Sequence, residues 1–335
     1  MAGMTDPSSP RITPEPALRP PSVECPPPRP GELRVCELLS PSVGPSTLLV
    51  LVGFPCDLGI RRNGGRPGAA EAPDAIRRFL YRLTPEPRDE GRMTSLLRRC
   101  VDLGDLEAGS DLETSQADLA RAVAPHLAAG RIVVVLGGGH ETAYGTFLGH
   151  VAAGRSVSIV NLDAHPDVRP RIVEGEHALG HSGSPFREAI EHPSGRCLRY
   201  AVAGLQPAAV SSTQLAWLRE HRAEAAFIDE IEPGGRDPLA LLGLAAPAVR
   251  EEAIMASLDL DAVDLTAAPG VSAPSVGGLS VGAWLAAAER LGLDARVRSL
   301  DLVELSPPLD PDGRTARLAA HTIWRFLRGV SRRSG

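Results

Sequence analysis

The chain has 335 residues, a formal net charge of -6, 43% hydrophobic residues and 4% aromatic residues. That length supports one large domain or two small ones. Mild acidity without a long basic block argues against a nucleic-acid surface, and so few aromatics argue against a stacking platform for single strands. No apolar run is long enough to cross a bilayer, and no apolar core follows a basic start at the N-terminus.

The five cysteines, Cys25, Cys36, Cys56, Cys100 and Cys197, form no CxxC pair. This predicts free thiols in a reducing cytoplasm rather than a disulfide framework or a zinc knuckle. Residues 1–45 are rich in proline, serine and arginine. Such a composition buries too little surface to offset its ordering entropy, so a disordered arm is expected there. A single folded domain is expected over 46–335.

From residue 46 the texture changes. The continuous apolar run 47–54 predicts a strand buried on both faces, followed by a glycine-rich loop over 57–68. A helix is expected over 69–83 and a strand over 97–103. The next helix, 116–129, takes Ser115 as its N-cap and Gly130 as its stop. Strand 131–136, helix 141–153 and strand 156–162 follow. A long polar loop over 168–184 interrupts the pattern, and loops of that length often carry function. Strands are then expected at 198–203, 225–228, 253–260 and 297–303. Helices are expected at 212–222, 238–244, 246–252, 280–291 (with Ser280 as cap) and 315–328, with a start near 187–190. Roughly eight strand–helix alternations imply a three-layer α/β/α domain around a mostly parallel sheet of about eight strands. Ligands of open sheets of this kind bind beyond the carboxyl ends of the strands.

Polar motifs fall at those ends. Asn161-Leu162-Asp163-Ala164-His165-Pro166-Asp167 follows one apolar run, Ser257-Leu258-Asp259-Leu260-Asp261 another, and Gly137-Gly138-Gly139-His140-Glu141 a third. Period-two alternation would let Asp163, His165 and Asp167 point one way while they stay extended, and likewise Asp259 and Asp261. Each motif alone is weak: glycines between strand and helix are ordinary turn material, and strand-end acids often form surface ion pairs. Together they gather acids and imidazoles that would repel or stay unsatisfied without cations. Carboxylate-rich donor sets suit manganese better than zinc. Shared aspartates suggest two ions roughly 3.5–4 Å apart.

In this order, the GG-x-H, D-A-H-x-D and S-x-D-x-D-x-x-D motifs resemble those of the ureohydrolase family, the arginases, agmatinases and their relatives. The match runs from about Gly53 to Glu304. The resemblance implies an arginase-like fold, two Mn²⁺ per subunit, and metal ligands His140, Asp163, His165, Asp167, Asp259 and Asp261, with Asp163 and Asp259 shared. It implies that Glu304 pairs with the substrate's amidine or guanidine cation and that His181 shuttles a proton; Asp261 is expected to orient the nucleophile as well. Oligomers are common in the family. Leu265, after Asp264, stands where many relatives have proline, which affects only the local turn.

The loops His181-Ser182-Gly183-Ser184-Pro185-Phe186-Arg187 and Arg62-Asn63-Gly64-Gly65-Arg66-Pro67-Gly68-Ala69 resemble those of the formimidoylglutamases. That resemblance implies hydrolysis of N-formimidoyl-L-glutamate to L-glutamate and formamide. The substrate's two carboxylates call for arginines or amides, so Arg62, Asn63, Arg66 and Arg187 are the candidate binding residues. Agmatine, with a free amine at its far end, would call for acids, and only Glu174 and Glu176 are at hand. A urea-releasing guanidino hydrolase and a metal-binding homologue without turnover are the rival expectations.

Overall fold

The computed structural model describes residues 16–232, 234–242 and 253–333. Among the described residues eleven strands are formed: β1 (Leu18–Arg19), β2 (Leu49–Gly53), β3 (Cys100–Leu106), β4 (Ile132–Leu136), β5 (Val157–Leu162), β6 (Ile172–Glu174), β7 (His177–Leu179), β8 (Cys197–Leu205), β9 (Glu224–Phe227), β10 (Ala253–Asp259) and β11 (Val297–Val303). Nine join one sheet in the order β1-β3-β2-β4-β11-β10-β5-β8-β9. Eight of these run parallel, and only β1 pairs antiparallel, with β3.

Alternation along the buried strands builds the three layers. Leu49 and Leu51 pack with Ile76, Leu96, Trp284 and Ile323 on one face, while Val50 and Val52 pack with Leu119 and Val123 on the other. Both faces are covered, as the unbroken apolar runs predict. Helices Val281–Leu293 and Arg314–Val330 form much of one outer layer. Helices Leu112–Ala128 and Thr142–Ala152 belong to the other. Among the described residues, no helix is long and apolar enough to cross a membrane.

Several expectations need correction. The arm does not stay loose from residue 16 onward. Leu18 and Arg19 pair with Leu106 and Asp105, and Val35 and Leu38 are buried. Cys25 and Cys36 are disulfide-bonded, with Cα atoms 5.7 Å apart. A two-residue edge pairing, one cross-link and two apolar anchors hold the segment, and composition averaged over 45 positions hides all of them. Residues 1–15 lie outside the described residues, as does the expected helix 246–252. The helix expected over 116–129 begins earlier, at Leu112, because Asp111 accepts the Thr114 N–H at 2.8 Å and takes the cap assigned to Ser115. The glycine-rich loop contains helix Leu58–Arg62, and the polar loop contains the β6–β7 hairpin.

Candidate metal centre and substrate cavity

Strand register brings the motifs together. Leu136 pairs with Leu302, Val303 with Asp259, and Leu258 with Leu162. The residues just beyond, Gly137–His140, Glu304, Asp259 and Asp163, therefore emerge side by side at four neighbouring strand ends. The chain does not stay extended there. β5 stops at Leu162, Asp167 sits at φ 44° and Glu304 at φ 69°, and Leu260–Ala262 is a 3₁₀ turn. Turns rather than period-two alternation converge these side chains. Left-handed backbone at two non-glycine residues is a strain that such sites tolerate. Gly138 is required for a different reason: a side chain there would strike the Cys56 carbonyl, which accepts the Gly139 N–H at 2.9 Å.

Two groups of donors form. His140, Asp163, Asp167 and Asp259 make one, and Asp163, His165 and Asp261 the other, so Asp163 belongs to both while Asp259 belongs only to the first. His140 Nδ1 lies 3.2 Å from Asp163 Oδ2 and 3.0 Å from both Asp167 Oδ2 and Asp259 Oδ2. None of these oxygens takes up hydrogen-bond geometry, leaving a buried nitrogen without a hydrogen bond among the described residues. Three carboxylates around one orphan nitrogen fit a cation at their centre. His165 Nδ1 faces Asp261 Oδ2 at 3.0 Å.

Electrostatics follow from this crowding. The Asp261 carboxylate, with Asp163, outweighs burial and pushes the His165 imidazole up to about 12. Burial opposes ionisation of His140, yet Asp163, Asp167 and Asp259 hold its pKa well above the usual value. Burial raises Asp259, with Asp261 and Asp163 adding repulsion. It also raises Asp261. Asp163 goes the other way: burial opposes the shift, but His140 and His165 lower it. Glu304 is raised by burial and by the neighbouring Glu141. Its Oε1 accepts the His140 N–H at 2.9 Å.

A cavity of about 270 Å³ opens over the acids, lined by Asn63, Arg66, His165, Asp167, Arg169, Ser182, Asp259, Asp261, Ser272 and Glu304. Larger clefts exist, such as one of about 630 Å³ beside Pro125 and Ala152, but that one is lined by no acids. Of the arginines chosen from sequence, only Arg66 lines the acidic cavity. It donates to the Ser272 and Val271 carbonyls, both at 2.8 Å. Arg62 instead bonds Glu113 and the Gly180 carbonyl, each at 2.6 Å. Arg187 pairs with Glu191 at 2.9 Å and lies over the Trp217 ring, in a different cleft. Arg62 and Arg187 are thus structural pairs.

His181 is buried beside the cavity with both ring nitrogens in use. Nδ1 accepts the Gly183 N–H and Nε2 donates to the Pro170 carbonyl, each at 3.1 Å. Burial lowers its pKa. Sequence reasoning missed Arg169, Ser182 and Ser272. Arg169 stands two positions after Asp167, close enough to the motif to have been found; Ser272 carries no local signal. Arg169 lines the cavity, and its Nη1 donates to Asn63 Oδ1 at 3.1 Å.

The profile described as the arginase family matches residues 48–328. The formimidoylglutamase of Aromatoleum aromaticum is 38% identical over 314 residues, covering 89% of this chain and 87% of that one. The formimidoylglutamase of Salmonella arizonae is 36% identical over 283 residues, covering 83% and 84%. A crystal structure of Trypanosoma cruzi formiminoglutamase with Mn²⁺ superposes with a TM-score of 0.80 at 28% identity, covering 90% of this chain and 100% of that chain.

Proposed function

Because the chain belongs to the arginase family, we propose that it hydrolyses a linear amidine, N-formimidoyl-L-glutamate, to L-glutamate and formamide. The observation that carries this assignment is the make-up of the cavity: buried acids at its floor and Arg66 and Arg169 at its rim. A substrate with a cationic head and a dicarboxylate tail matches that polarity, because guanidinium forks suit carboxylates. Relatives named for this substrate support it. Glu174 and Glu176, the acids an agmatine tail would need, are exposed on the β6–β7 hairpin and do not line the cavity.

Two Mn²⁺ per subunit are proposed, one held by His140, Asp163, Asp167 and Asp259 and the other by Asp163, His165 and Asp261. Bound there, the ions would lower the pKa of a water toward neutrality. The protein's own groups do the rest. The Glu304 carboxylate holds the amidine head and orients its carbon over the acids. Asp261 orients the attacking water, and the proton that the water gives up passes to the departing glutamate nitrogen. One water is consumed: its oxygen ends in formamide, and its hydrogens pass to the products. His181, with its ring committed to Gly183 and Pro170, braces the wall and relays a proton only after releasing the Pro170 carbonyl. Arg169, Arg66, Asn63 and Ser182 hold the carboxylate tail.

A role in histidine degradation and a cytoplasmic location belong to the same proposal. The test is product identification on manganese-loaded protein. Formamide and glutamate from N-formimidoyl-L-glutamate are expected. Urea from agmatine or guanidinobutyrate, with no formamide, would overturn the assignment.

A further inference from the structure

At the opposite end of the sheet a second cavity, of about 540 Å³, is lined by Leu48, Ile132 and Val330 together with Arg92, Arg99, Arg298 and Arg333. Ile132 opens β4 and Arg298 is the second residue of β11, so these are the amino ends of the strands. Glu304 follows the far end of β11, six residues beyond Arg298, which places the acid floor ~20 Å away at ~3.3 Å per residue.

The arginines lack acids to balance them. Arg333 donates to the Gly292 carbonyl at 2.7 Å and the Val297 carbonyl at 3.3 Å, which fixes its guanidinium without neutralising it. Arg99 likewise donates to the Ser46 carbonyl at 3.0 Å. The side chains of Arg92 and half-buried Arg298 have no hydrogen-bond or ion-pair partner among the described residues. Glu90 is the one acid lining the cavity, and Asp294, near Arg333, is already paired with Arg296 at 2.7 Å. Burial without a facing acid costs the two partly buried guanidinium groups. Burial, then Arg298, pushes Arg333 down to about 10, and burial, then Arg155, lowers Arg298. Guanidinium groups ordinarily stay far above that range.

Guanidinium groups gathered on one apolar cavity, held on backbone carbonyls or left without a facing acid, offer their remaining donors to an anion. Planar forks held on backbone carbonyls match phosphate oxygens, and the apolar wall offers contact to an organic body. We propose that this cavity is a binding site for a small organic phosphate, whose phosphate group meets Arg298 and Arg333 and whose apolar part lies on Leu48, Ile132 and Val330. The site is separate from the metal end and takes no part in hydrolysis.

Calorimetric titration of the manganese-loaded protein with phenyl phosphate, at constant ionic strength, tests this. Saturable binding is expected, tighter than that of inorganic phosphate, with a Tm rise of about 3–6 °C near saturation. Arg298→Gln, and separately Arg92→Gln, should weaken binding, Arg298→Gln by ~10–100-fold, the loss for a charged hydrogen bond. Both variants should retain the parent's Tm without ligand and its turnover of the substrate. Arg169→Gln, at the other cavity, should leave phosphate binding intact. Unchanged affinity in both Arg298→Gln and Arg92→Gln would overturn the proposal, as would loss in Arg169→Gln instead. A response that follows ionic strength alone, or no preference for phenyl phosphate over inorganic phosphate, would also overturn it.

Discussion

The imidazole of His140 is held from behind by Ser257: Nε2 and Oγ are 2.9 Å apart, and the opposite nitrogen, Nδ1, therefore faces Asp163, Asp167 and Asp259. The serine fixes ring orientation, and by accepting an Nε2 proton it leaves Nδ1 the lone pair for a metal. Ser257→Ala should weaken Mn²⁺ affinity ~10–100-fold, as loss of an outer hydrogen bond to a ligating histidine does. Titration of metal-stripped protein measures this directly, and turnover at saturating metal should change far less. Unchanged affinity would show that packing alone orients the ring.

Metal binding and protons compete at the same atoms. His140 and His165 have raised pKa values, so a cation entering either group must displace protons. Apparent Mn²⁺ affinity should climb as pH rises through the neutral range, with proton release visible as a buffer-dependent heat. Chelation should lower Tm, since the ions favour only the folded arrangement. A pH-independent affinity would contradict the crowding around Nδ1.

Arg169 and Arg187 should separate cleanly in kinetics. Arg169→Gln removes a charged donor at the cavity rim and should lower kcat/KM by ~10–100-fold, mostly through KM. Arg187→Gln breaks the pair with Glu191 and the contact over Trp217, both outside the acidic cavity, and should leave both parameters near those of the parent. Arg62→Gln should act on the stability of the Glu113–Gly180 contact, read as a lower Tm, more than on substrate affinity.

Asp301 is buried beneath the site. One of its oxygens accepts from Thr146 Oγ1 at 2.8 Å and the other has no partner among the described residues. Burial pushes its pKa up to about 7. The folded state thus holds a proton that the unfolded chain has released, and stability from this group is lost as pH rises from about 4 through 7. Asp301→Asn removes that loss, so its stability relative to the parent should improve by roughly 3–4 kcal/mol between about pH 4 and pH 8. His150, pushed down to about 3 by burial, has the opposite sign, losing stability as pH falls, and cancels in the comparison. Chemical denaturation at several pH values gives the difference; a constant gap would show that Asp301 titrates normally.

The acids and histidines of the floor were legible because three motifs fall directly after apolar runs, and parallel register does the rest. How they converge was not legible: a period-two argument assumes extended chain, and the chain turns at Asp163 and again at Leu260. Arg62 and Arg187 lie off the acidic cavity for a reason the sequence hides. A loop arginine near a motif looks like a ligand until its acid is known, and Glu113 lies 51 positions from Arg62. Glu191, four positions after Arg187, could have been noticed as an ordinary i,i+4 pair. Cys25 and Cys36 lie eleven residues apart, a spacing that has no motif, so their pairing depends on the path of the arm.

The floor acids follow directly from strands locked in register, whereas Asn63 with Arg66, Arg169 with Ser182, and Ser272 arrive on three loops. On the proposed function, water activation and substrate choice would be carried by different parts of the chain. Drift or deliberate exchange of the loops can retarget the scaffold to another amidine while the hydrolytic machinery is left untouched; a single slip of register between β5 and β10 would dismantle that machinery at once.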